Sequence, residues 1–207
     1  MKRTLKYIVL ALVVGVSLYG SVYFEPLDEF KKAQNNSVFN AKTLATDFLS
    51  NKTQALPAIN ASEFLTAITE NVKEYCLAKG KKLGISDEYN FIIDGNATVL
   101  AIEEENVLLS LDENSAQQIR IATDFIFGNA IRDASAIADI GDFQNTMDFN
   151  TLSVELNNTV RETIVLPFKK QVKEGDKLYF KGALKVNAKH PKLEELKVIP
   201  LLIKFNN

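Results

Sequence analysis

Between positions 127 and 150 the chain gathers Arg132, Asp133, Asp139, Asp142, Asn145 and Asp148, a guanidinium among carboxylates and a side-chain amide. Asp and Asn oxygens suit Ca²⁺ or the hydroxyls of a sugar, and an arginine fork suits a carboxylate. Arg132, Asp133, Asp142, Asn145 and Asp148 are therefore the ligand-binding candidates. A structural account competes with this one: Arg132 pairs with a neighbouring carboxylate to fix a long loop, and Asp148 or Asn150 caps the helix that follows. The spacing does not match an EF-hand, because it has no Asp-x-Asp-x-Asp-Gly series with a terminal Glu. Two carboxylates for glycoside hydrolysis could be drawn from the set, but sequence spacing does not fix the spatial separation that such a mechanism needs.

Other reactive residue types are sparse. Cys76 is the sole cysteine and His190 the sole histidine. Leu65, Ile68 and Val72 precede Cys76 at helical spacing, so the thiol reads as a small buried hydrophobe. A lone cysteine can form no internal disulfide. His190 stands beside Pro191 in a turn-like stretch, and a Ser-His-Asp mechanism would rest on it alone. A zinc site needs several Cys, His or carboxylate ligands together, and the sequence offers no such cluster. The glycines are scattered and build no phosphate-cradling loop. Glu103, Glu104 and Glu105 read as a solvated turn, and Lys189, Lys192 and Lys197 are interleaved with Glu194 and Glu195 as a mixed surface. With a net charge of −2, no basic face recommends nucleic acid. These residues point to a non-enzymatic protein with no catalytic residue, metal or cofactor.

The N-terminus bears on location. Lys2, Arg3 and Lys6 precede an uncharged run over 7–24, which opens on Tyr7 and closes on Phe24; acidic Glu25, Asp28 and Glu29 follow. Eighteen residues of helix span roughly 27 Å, close to a bilayer's hydrocarbon core. The positive-inside rule keeps the N-terminus cytoplasmic and exports the rest. A cleaved signal peptide is the rival reading, but Leu18 would occupy a cleavage position that prefers a small residue. The expectation is an uncleaved, single-pass signal anchor. It would sit in the lipid bilayer of a bacterial cytoplasmic (inner) membrane through Tyr7 to Phe24, with the C-terminal domain on the periplasmic side.

The elements that must position the candidates follow. After a tether, Asn40 caps a short helix carrying Leu44, Phe48 and Leu49. Asn60, with Glu63 three residues on, opens a helix carrying Leu65, Ile68, Val72 and Tyr75 and ending at Lys79-Gly80, with Gly80 as the C′ glycine. From Tyr89 short β-rich runs occupy 91–93, 98–102, 107–111 and 119–126, with Gly95 read as a bulge that bends one long strand. Asn150 then caps a helix with Leu152, Leu156, Val160 and Ile164 on one face, which Pro167 ends or kinks. Runs at 177–186 and 196–205 close the chain, with Pro200 marking an edge or a bulge. Strand, strand, strand, helix, strand, strand is the order of an OB-type barrel. The predicted fold is α+β: an N-terminal membrane helix (1–24), a tether with two helices (25–87), and an OB-like five-stranded barrel (88–207). One helix between strands three and four plugs an end of that barrel. An open α+β sheet is the alternative.

The same stretch resembles an uncharacterised bacterial family of predicted periplasmic lipoproteins, domain of unknown function 2291. The family carries a glycine before Ala-Leu-Arg-Asp-Ala, then an Asp-Phe-x-Asn-Gln-Ile-Glu-Phe run, then Leu-Asn ahead of a helix. Here these match Gly128 with Ala130-Ile131-Arg132-Asp133-Ala134, Asp142-Phe143-Gln144-Asn145-Thr146-Met147-Asp148-Phe149, and Leu156-Asn157. The likeness takes in Pro26-Leu27-Asp28-Glu29, Phe39-Asn40-Ala41, Phe180-Lys181-Gly182-Ala183 and Ile199-Pro200-Leu201 as well. The family's Gln-Ile-Glu becomes Thr146-Met147-Asp148, and no cysteine lies near the end of the apolar run to accept a lipid. The resemblance implies an exported, membrane-associated module with no assigned activity, and members encoded beside sugar ABC-transport components imply an accessory role; with the candidates above, the expectation is a binding or accessory module. Its partner would be a carbohydrate or a component of such a transporter. A structural or assembly protein of the envelope, or an envelope glycan hydrolase, is the alternative.

Overall fold

Phe91 and Ile93 face one side of a strand and Ile92 the other, and all three are buried, so this strand lies between two packed layers. The computed structural model describes residues 39–206, other than 113 and 144, and some residues between 6 and 19, which are helical. Those helical residues belong to the unit Met1–Phe39, and Asn40–Asn207 form a second compact unit. Among the described residues no helix is long and apolar enough to cross a membrane. Much of the expected span over 7–24, and the tether after it, lie outside the described residues.

Among its described residues the second unit holds six strands: β1 (Ile59–Asn60), β2 (Glu88–Ile102), β3 (Asn106–Leu111), β4 (Gln118–Ala122), β5 (Lys177–Asn187) and β6 (Lys197–Phe205). β2 pairs antiparallel with β5 from Glu88 to Thr98 and with β3 from Ala97 to Ile102. β3 pairs with β4, β4 runs parallel to β6, and β6 pairs with β5. Five strands thus close into a barrel, with β1 added parallel to β2 outside the ring. The open-sheet alternative is set aside.

The strand β2 is one long strand that serves two neighbours by changing partner along its length, and the bulge expected at Gly95 is not there. Gly95 pairs with Phe180 in an unbroken ladder, and the register shifts between Val99 and Ala101 instead. A Cβ at Gly95 would stand 3.4 Å from Ala61 Cβ, so the small residue admits a packed neighbour there. The β5–β6 register shifts between Lys181 and Gly182, where Gly182 faces Pro200, so the proline does lie at an irregularity.

The helices depart from expectation in number and in role. They are α1 (Ala41–Asp47), α2 (Ala61–Glu70), α3 (Val72–Lys79), α4 (Ala130–Ser135), α5 (Thr146–Val160) and α6 (Leu166–Gln171). Asn40 and Asn60 cap α1 and α2 through their Oδ1 atoms. The helix expected over 60–80 breaks at Asn71, whose Oδ1 accepts from Glu74 N–H and starts α3. Gly80 is extended (φ −79°) and is not a left-handed cap. A Cβ there would lie 2.7 Å from Cys76 O and 2.8 Å from Tyr89 Cβ, so close approach is what requires glycine. Three helices, not one, connect β4 to β5. Pro167 does not stop them. A wide turn over Arg161–Val165 has already broken the α register, with Leu166 N–H bonded to Arg161 O, and α6 proceeds from it.

Two cores result. Inside the barrel Phe91, Ile93, Leu109, Ile121, Leu178, Phe180 and Val198 meet Phe64 and Ile68 of α2, Cys76 of α3 and Phe168 of α6. Phe64 packs edge-on to Phe91 at 5.1 Å between ring centroids. Burying one such side chain contributes roughly 1.5–3 kcal/mol. Outside the barrel, Ile92, Ala183 and Leu201 carry a second core made by Ala45, Phe48, Ile131, Leu152, Leu156 and Val160. Hence α2, α3 and α6 reach the barrel interior; α5, the helix expected to plug it, covers an outer face, and α6, between the same two strands, reaches the interior instead.

Candidate functional site

The outer layer leaves a cleft where the loop 126–129 meets α5. Gly128 adopts φ +87°, a left-handed conformation that glycine takes without strain. Asn157 Nδ2 donates to Gly128 O at 2.8 Å and Arg161 Nη2 donates to Ile126 O at 2.7 Å, so one face of α5 pins the loop. Between them lies a cavity of about 420 Å³, lined by Phe127, Arg132, Asn150, Ser153, Asn157 and Arg161 among others. That volume falls in the range of roughly 300–1,000 Å³ usual for ligand clefts.

Arg132, 3 % exposed, forms the base of the cleft. Its Nε meets Asp133 Oδ1 at 2.8 Å, and its Nη1 donates to Phe149 O at 3.1 Å and Asn150 Oδ1 at 3.3 Å. The guanidinium carbon stands 3.6 Å from the Phe149 ring centroid, a cation–π contact in a desolvated setting. Asp133 also accepts a hydrogen bond from Asn129 Nδ2.

Ser153 Oγ and Asn157 Oδ1 are buried and have no hydrogen-bond partner among the described residues, and both residues line this cleft. A buried hydroxyl or amide oxygen without a partner costs about 1–3 kcal/mol, so such atoms are normally satisfied by water or a ligand.

The other sequence-predicted residues lie off this lining and act on backbone. Asp139 Oδ1 accepts from Gly141 N–H at 2.8 Å, and Asp142 Oδ2 accepts from Asp139 N–H at 2.9 Å, closing a short 3₁₀ turn. Asn145 Oδ1 accepts from Asp148 N–H at 2.9 Å and Asn145 Nδ2 donates to Asp148 Oδ2 at 2.9 Å. Asn145, five residues before the expected Asn150, is therefore the cap of α5, and Asn150 stands inside the helix. Among the described residues no three His, Cys, Asp or Glu are placed to hold a metal ion. Of the candidates the structure thus brings Arg132 to the cleft with Asp133 behind it, and sets Asp142, Asn145 and Asp148 at helix starts.

Ser153, Asn157 and Arg161 escaped the sequence reading. They recur every fourth residue beside the apolar stripe Leu152, Leu156 and Val160, a pattern that ordinarily marks a solvated flank. Leu156-Asn157 lies within α5, not ahead of a helix. Cys76 is fully buried, and desolvation pushes its thiol up to about 11, which suppresses the nucleophilic thiolate. His190 sits on an exposed turn, its N–H bonded to Asn187 Oδ1.

Comparison with known proteins adds family and fold. A family model described as predicted periplasmic lipoprotein (DUF2291) matches residues 12–204. Among solved structures, the crystal structure of an OB-fold protein from Thermotoga maritima is similar, with 25 % identity and a TM-score of 0.73. The match covers 81 % of this chain and 99 % of that one. A search of curated proteins gives no match.

Proposed function

The chain belongs to the DUF2291 family of predicted periplasmic lipoproteins, and from that premise we propose that it is a non-enzymatic binding or accessory module. It works outside the cytoplasm and takes a carbohydrate in the cleft between the 126–129 loop and α5. The observation that carries this reading is that Ser153 and Asn157, two residues lining one cleft, each hold a buried atom, Oγ and Oδ1, with no partner among the described residues. A sugar hydroxyl both donates and accepts, so it satisfies either atom, and exposed Phe127 at the cleft gives an apolar face for ring C–H groups. Service beside a sugar ABC-transporter component is consistent with such a module. The tether we propose is the apolar run over 7–24 at the inner membrane.

Titration of the protein with monosaccharides, followed by amide chemical shifts, tests the site. Shifts should cluster at 126–132 and 150–161. Their absence, or their concentration elsewhere in the barrel, would overturn the reading. Membrane fractionation of the chain with and without residues 7–24 tests the tether.

A further inference from the structure

We infer that the ligand of this cleft carries an anionic group beside its hydroxyls: a monosaccharide-sized polyol bearing one carboxylate or phosphate. The inference rests on the carbohydrate reading above and narrows it. Its basis is an imbalance of charge between the two guanidinium groups that line the cleft. Arg132 is neutralised by Asp133 at 2.8 Å. Arg161 is not: Nη1 donates to Asn158 Oδ1 at 2.9 Å and Nη2 to Ile126 O at 2.7 Å, both neutral acceptors. None of the ion pairs among the described residues includes it.

A guanidinium has five N–H donors, so these two bonds leave three on Arg161, an exposed residue at the edge of the cleft. Among the described residues the cleft lining contains no carboxylate to compete for them. Two N–H groups of one arginine match the paired oxygens of a carboxylate or phosphate.

Spacing joins the two ends of the site. Ser153 and Asn157 on α5 and Arg161, the residue that follows its last turn, succeed one another at four-residue intervals. Each interval advances about 6 Å along a helix, the scale of a single pyranose ring. One hydroxyl can therefore donate to Asn157 Oδ1 while an anionic substituent on the same ring meets Arg161. Asn157 itself is fixed, because its Nδ2 is bonded to Gly128 O, which leaves Oδ1 as the acceptor for the ligand.

The experiment is calorimetric titration of the full chain with D-glucuronate, D-glucose 6-phosphate, D-glucose and inorganic phosphate at low ionic strength, then at raised salt. At least one acidic sugar should bind about tenfold or more tightly than glucose. Inorganic phosphate alone should bind no better than glucose, and added salt should shrink the acidic sugar's advantage. The two acidic probes separate carboxylate from phosphate as the recognised group. Arg161→Gln should remove the preference for the acidic sugar, while Arg161→Lys should keep part of it. Equal binding of glucose and both acidic sugars would overturn the anionic assignment and leave the carbohydrate reading standing. Failure of every sugar to bind would overturn both. A preference that survives in a folded Arg161→Gln protein would overturn the role of Arg161. The wild-type comparison needs no variant, so it decides the main claim even if that substitution loosens the loop at Ile126.

Discussion

Arg132 shows how one side chain can line a site and hold the fold together. Its guanidinium lies between the Phe149 ring and the Asp133 carboxylate, with both ionic side chains no more than 5 % exposed. Arg132→Ala would strand the Asp133 charge in a buried setting, so the loss of stability should be about 3–5 kcal/mol, read from urea denaturation. A loss under 1 kcal/mol would show that the pair is better solvated than its geometry indicates. Lysine at this position should recover only part of the loss, because it can neither stack flat on Phe149 nor make the forked contacts. An arginine among carboxylates was readable as an ion pair. That the immediate neighbour, Asp133, would be the partner was not, since Asp139, Asp142 and Asp148 were available as well. Ser153 and Asn157 were less readable still. Their burial depends on a loop more than twenty residues upstream that docks onto α5.

Among the elements, capping asparagines set most of the helix starts. Asn40, Asn60, Asn71 and Asn145 each accept a backbone N–H at the start of a helix. The first two could be anticipated from position. Asn71 could not, because Leu65, Ile68, Val72 and Tyr75 keep a helical period straight across it. The side chain of Asn71 bonds locally to the Glu74 N–H, and this local bond competes with helix continuation. The capping role of Asn145 has a measurable consequence. Asn145→Ala should cost about 1 kcal/mol in unfolding free energy and leave sugar affinity unchanged, as judged by urea denaturation and calorimetry together. A change in affinity without a change in stability would return Asn145 to the list of binding residues.

At the scale of the molecule, the barrel has a strong side and a weak seam. β2 and β5 pair continuously from Glu88 to Thr98, whereas β4 and β6 meet in register only at Arg120 with Lys197 and Ile121 with Val198. Local opening follows the density of backbone pairing. Native-state hydrogen exchange should therefore show the slowest amides in the middle of β2 and β5 and exchange at least about tenfold faster in the paired stretch of β6 beside β4. Uniform protection around the ring would contradict this. The sequence by itself determined the order of the five barrel strands, the absence of any disulfide framework, and the polar segment between β4 and α5. Each of these follows from residue type and local period. Tertiary structure alone decided that α2, α3 and α6 reach the barrel interior while α5 covers its outside, and that Ser153, Asn157 and Arg161 share a cleft. The reason is physical. A polar residue on a helix flank is solvated or buried according to what packs over it, and here that cover is a loop held by hydrogen bonds between residues 29 and 35 positions apart.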